Sequence, residues 1–214
     1  MTLPLDTILA VGLVSGFAML GNSRIGVLIR WMALQGLLFG ALPIVLHGWA
    51  LNERVWVLAI ISIVLKGIVF PRILLRLRRR TNFRREVEPY LGFLGSLLVA
   101  VGALAISAWL AWRIGSAIAP EFSRTLTVAF FTIAVGVLLI VTRKKALTQV
   151  IGYLVLENGI YVFGVGAVVE IPALIELGIL LDAFVAVFVM GIAAYDINRE
   201  FADMDVDKLN VLKG

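Results

Sequence analysis

The chain has 214 residues, of which 61% are hydrophobic and 15% charged, with a net charge of +5 and a mean hydropathy of +1.03. So apolar a composition exceeds the needs of a soluble core and describes a multi-pass membrane protein. With no cysteine and one histidine, His47, the chain lacks the side chains for an iron–sulfur cluster, a disulfide or a cysteine-ligated metal, so any redox chemistry belongs to partner subunits.

About 20 apolar residues at 1.5 Å each cross a hydrocarbon core of roughly 30 Å. Seven segments reach that length, at 3–21, 25–47, 55–75, 89–111, 125–142, 146–169 and 172–195, and predict an all-α membrane bundle. The first has no cationic stretch before it and holds Asp6 near its start, so it reads as a retained span and not a cleaved signal peptide. Gly21, Asn22, Ser23 and Arg24 form a tight turn into the second, which ends at His47, an interfacial imidazole beside Gly48 and Trp49. The third carries Lys66 at its centre and Pro71 five residues later, where a proline is expected to end or kink the helix and free backbone carbonyls. Small-residue spacings, Gly12 to Gly16 and Gly36 to Gly40, permit close helix contact.

The basic run Arg76 to Arg85 lies between spans and has no aromatic interleaving beyond Phe83. It reads as a topogenic loop touching anionic lipid or the acidic face of a partner, and not as a nucleic-acid site. Lysine and arginine placement sets the orientation. With the N-terminus outside and the C-terminus in the cytoplasm, Arg24, Arg30, Arg72, the run to Arg85, Arg143, Lys144, Lys145, Arg199, Lys208 and Lys213 all fall inside. Only Arg54, Arg113 and Arg124 fall outside, and Lys66 is left in the membrane. The chain divides into 1–88 (three helices and the basic loop), 89–124 (the fourth helix and an external loop), 125–195 (a three-helix unit) and 196–214, a tail in which Asp196, Glu200, Asp203, Asp205 and Asp207 alternate with apolar residues. Such a tail lies on the inner surface or against a partner.

Lys66, Glu157 and Asp182 are the ionisable groups deep within spans. A charge at the bilayer centre costs roughly 2.5–3.5 kcal/mol on insertion scales, so groups of this kind pair or take part in ion movement. Each lies 10 or 11 residues past the start of its segment, about 16 Å at 1.5 Å per residue, so the three project onto one mid-membrane plane. They read as a proton relay, with Lys66 alternatively snorkelling to an interface or neutralising Glu157 or Asp182 as a structural ion pair. Tyr153 and Tyr161 share a helix face with Glu157 at i−4 and i+4, as supporting hydroxyls or as packing; Glu176 competes with Asp182 for the inward-facing role.

The stretch RKKALTQVIGYLVLENGIYVFGV, Arg143 to Val165, resembles the region around the membrane glutamate of the K-type subunit of complex I and of the C subunit of Mrp antiporters. Glu157 falls on that glutamate. Residues 125–195 resemble that three-helix subunit, with Asp182 where complex I has a second carboxylate, aspartate replacing glutamate. Four preceding helices and the tail, Asp205-Val206, Leu209 and Leu212-Lys213-Gly214, make the whole similar to the hydrogenase-4 component E family. The resemblance implies a non-redox subunit in the membrane arm of a hydrogenase-4 or formate hydrogenlyase complex, in a prokaryotic inner membrane. It implies antiporter-like membrane subunits, a membrane subunit anchoring the redox arm, and peripheral hydrogenase subunits with the nickel–iron site and iron–sulfur clusters. The chain itself would hold no cofactor or catalytic site. An Mrp-like cation/proton antiporter assembly and a structural scaffold are the alternatives.

Overall fold

The computed structural model describes residues 2–47, 53–80, 92–115, 120–143 and 145–167, all helices and the turns that join them. In chain order these are α1 (Thr2–Leu20), α2 (Ile25–Gly40), α3 (Leu42–His47), α4 (Glu53–Val64), a π turn (Leu65–Val69), α5 (Phe70–Arg80), α6 (Phe93–Gly115), α7 (Pro120–Thr142) and α8 (Ala146–Ala167). Among the described residues, five helical stretches are long and apolar enough to cross a membrane: Leu3–Leu20, Ile25–Leu46, Leu94–Ile114, Phe122–Thr142 and Ala146–Gly166. The seventh expected span, 172–195, and the tail lie outside the described residues.

The second and third expected spans are less regular than a periodicity reading provides. The second breaks at Ala41, two residues before Pro43, whose missing N–H leaves a gap in the hydrogen-bond ladder. In the third, the helix neither ends nor stops short at Pro71. It widens one turn earlier, with the Phe70 N–H donating to the Leu65 carbonyl five residues back, and then runs on to Arg80. A proline cannot donate to the carbonyl four residues before it and crowds that carbonyl, here that of Gly67, so a wider turn accommodates it without a break. One face of this path, Ala59, Ser62, Lys66, Phe70, Leu74 and Leu77, is buried.

The helices α7 and α8 form an antiparallel pair around the short connection at 143–145, and this is the most extensive contact in the bundle. Glycines set its closeness. A Cβ at Gly136 would collide with the Leu156 backbone nitrogen, and one at Gly159 would lie 2.6 Å from the Ile133 nitrogen and 2.9 Å from the Ala129 oxygen. Small residues let membrane helices approach backbone to backbone, where dispersion replaces the absent hydrophobic drive. Helix α1 packs on α7 and α2, while α2 joins α8 to α4, the π turn and α5. Gly12 and Gly16 instead make room for side chains, the rings of Phe39 and Phe131.

Two polar clasps fix α1 parallel to α7. At one end Arg124 Nη1 pairs with Asp6 Oδ1 at 2.7 Å, partly exposed. At the other, Arg143 is buried and its Nη2 donates to the carbonyls of Leu20 (3.1 Å) and Asn22 (3.2 Å), satisfying groups that a helix C-terminus leaves open. The sequence read Arg143 as a topogenic charge alone. In the folded chain it is also a tie between the α1–α2 turn and the α7–α8 turn.

Candidate functional site

Lys66 leaves the π turn and meets Glu157 of α8, with Nζ and Oε1 2.9 Å apart and side chains only 5% and 2% exposed. The contact has the distance of an ion pair but not the angles of a hydrogen bond, so charge attraction holds it. Glycine again permits the approach: a Cβ at Gly36 of α2 would stand 2.8 Å from the Lys66 Cβ. With α2 so close to the Lys66 backbone, the long side chain is directed across to α8. Tyr161, one turn after Glu157, places its ring 5.2 Å from Lys66 Nζ, a cation–π distance that lends the ammonium a second stabilising contact.

Buried polar groups beyond this pair are more numerous than the sequence reading held. Asn158, buried, lines a narrow crevice with Lys66, Met32, Phe70 and Leu154. On α2, buried Gln35 donates from Nε2 to Ser15 Oγ at 3.0 Å, and Ser15 in turn donates to the Gly12 carbonyl at 2.7 Å. Because the Ser15 proton is committed to Gly12, its oxygen accepts from Gln35, which fixes which end of the amide points away. That end, Gln35 Oε1, has no hydrogen-bond partner among the described residues, and neither have Thr132 Oγ1, Glu157 Oε2 and the Tyr161 hydroxyl. Buried polar atoms left so are costly, which is why they mark sites of internal water, ions or proton exchange.

Of the expected site residues, then, the fold brings together Lys66, Glu157 and Tyr161. Tyr153 is half-buried against the apolar cluster of the bundle, one turn before Glu157. Asp182 and Glu176 lie outside the described residues. Ser15, Gln35, Thr132 and Asn158 went unread in the sequence. The signal available for Gln35 was its depth, 10 residues past Ile25, the same measure that singled out the charges. Among the described residues no cluster of histidine, aspartate and glutamate has the makings of a metal site.

The chain is similar to the uncharacterized protein Rv0085 of Mycobacterium tuberculosis, 30% identical over 189 residues that cover 87% of the chain and 85% of that protein. It is also similar to hydrogenase-4 component E of Escherichia coli K12 and of Shigella flexneri, 38% identical over 89 residues, 42% of the chain and 41% of those proteins. Residues 124–214 match the family model of NADH-ubiquinone/plastoquinone oxidoreductase chain 4L. No solved structure matches. The chain belongs to the family of the mycobacterial protein and carries a chain 4L region at its C-terminal end, in agreement with the resemblance to the K-type subunit and to hydrogenase-4 component E.

Proposed function

We propose that this member of the family is a non-redox subunit in the membrane arm of a complex I-related, hydrogenase-4 or formate hydrogenlyase type complex, where it takes part in proton translocation coupled to hydrogen metabolism. The observation that carries the reading is the Lys66–Glu157 pair, two opposite charges buried together in the middle of apolar helices. Glu157 lies inside the chain 4L region and Lys66 outside it, so the pair links that region to the helices preceding it. A proton reaching Glu157 removes the counter-charge of Lys66, so the Lys66 ammonium needs a new partner. Charge rearrangement in the redox arm would thereby pass along a row of Lys66, Glu157 and Asp182, with Tyr161 beside Lys66. The nickel–iron and iron–sulfur chemistry belongs to partner subunits, because the chain has no cysteine to ligate either. Antiporter-like subunits and the subunit that anchors the redox arm are the membrane neighbours in this reading, in a prokaryotic inner membrane.

The test is Glu157→Gln in the intact complex, with assembly verified and proton uptake followed in inverted vesicles during hydrogen turnover. Loss of uptake with turnover retained is expected; undiminished uptake in the assembled variant rejects the relay. A second reading, of the pair as a structural clamp, draws on the narrowness of the crevice beside Lys66, which leaves no room for water as it stands. It predicts that Lys66→Met combined with Glu157→Leu restores both assembly and uptake.

A further inference from the structure

The outward face of α4, the π turn and α5 is neither uniformly apolar nor uniformly charged. Ile61, Val64 and Ile68 are exposed along it, and Arg72, Arg76 and Arg79 continue the same face, also exposed. The change from aliphatic to guanidinium occurs once, at Arg72. From Ile61 to Arg72 is 11 residues, about 16 Å, which is half of a hydrocarbon core of roughly 30 Å and hence the depth of one leaflet. From Arg72 to Arg79 the stripe rises about 10 Å further, through the headgroup layer.

The guanidiniums lack a counter-charge within the described chain. The two carboxylates whose surroundings are described, Asp6 and Glu157, are engaged by Arg124 and Lys66. Like charges at i and i+4 repel on a helix, so Arg72 and Arg76 oppose the helix that bears them unless an anion lies between. The choice of residue is informative as well. Orientation in the membrane needs only positive charge, which lysine supplies equally, yet every cation from Arg72 to Arg80 is arginine. Arginine is the side chain whose planar fork matches a phosphate.

We propose that this face is a binding site for one anionic phospholipid, its acyl chain lying along Ile61, Val64 and Ile68 and its phosphate held by Arg72, Arg76 and Arg79. The site is independent of the proton pathway, because Lys66 faces the opposite, buried side of the same helical path. It gives the helix a fixed depth and gives the cationic stripe a counter-charge that it does not find among the described residues.

The experiment is native mass spectrometry of the full chain in detergent micelles, titrated with phosphatidylglycerol and with phosphatidylcholine of identical acyl chains. A discrete phosphatidylglycerol adduct is expected, outlasting the phosphatidylcholine one and weakening as salt is raised. Each guanidinium near an anionic headgroup contributes about a fivefold factor, so Arg72→Gln, Arg76→Gln and Arg79→Gln together should weaken retention roughly 100-fold. The corresponding triple lysine variant keeps the charge and should fall between. Equal retention of the two lipids by the wild-type chain overturns the proposal without recourse to any variant, as does an unchanged adduct in a folded glutamine variant. So does crosslinking of these arginines to an acidic protein surface in the intact complex with no lipid retained.

Discussion

Lys66 and Glu157 stabilise the fold only as a couple. Removing one partner of a buried ion pair leaves the other uncompensated, a loss of about 3–5 kcal/mol, whereas replacing both with apolar groups of like volume is often neutral. Thermal unfolding in micelles should show this order: Lys66→Met and Glu157→Leu each strongly destabilised, and the double variant close to wild type. A double variant whose loss is the sum of the two single losses would mean the two charges are not coupled. The Ser15–Gln35 bond behaves similarly on a smaller scale. Ser15→Ala strands the Gln35 amide and should cost about 1–3 kcal/mol, most of it recovered when Gln35→Leu is added. The depth of Lys66 and Glu157 was legible in the sequence, because a charge deep in an apolar run announces itself and depth follows from counting residues; which carboxylate Lys66 meets was not. Gln35, Ser15 and Thr132 were not, since serine, threonine and glutamine within a span often satisfy themselves locally; only the fold reveals that Gln35 Oε1 and Thr132 Oγ1 find no partner among the described residues.

Helices α7 and α8 depend on atoms that are missing. Gly136→Ala places a methyl group against the Leu156 backbone, which cannot rotate aside, so the helices must separate; the expected destabilisation is about 1–3 kcal/mol or more. Gly102 of α6 is the control, because nothing lies within 4 Å of where its Cβ would be. There alanine should be neutral or stabilising by about 0.5–1 kcal/mol, through helix propensity alone. Comparing the two melting temperatures separates close packing from a general intolerance of substitution. The lengths of α7 and α8 were legible from hydropathy, within a few residues. The π turn was not, because hydropathy reports which residues are apolar and carries no record of how the backbone accommodates Pro71.

The bundle as a whole is registered by its two polar clasps, which place Asp6 and Arg124 at one end and Arg143 with the α1–α2 turn at the other. Since the chain has no native cysteine, single cysteines give a clean topology assay. In intact cells a membrane-impermeant maleimide should label Asp6→Cys and Thr7→Cys, whereas Ser23→Cys should react only after permeabilisation, if the N-terminus is outside. The reverse pattern would invert the orientation read from lysine and arginine placement and keep the parallel arrangement of α1 and α7 intact. The wide turn before Pro71 has a consequence of its own. It holds one residue more than an α turn of the same rotation, so deleting one residue between 65 and 69 would restore uniform winding while the downstream faces keep nearly the same direction. Leu74 and Leu77 would then stay in the interior, whereas rewinding the turn with no deletion would swing them aside, so homologues shorter there by a single codon should keep the same buried face.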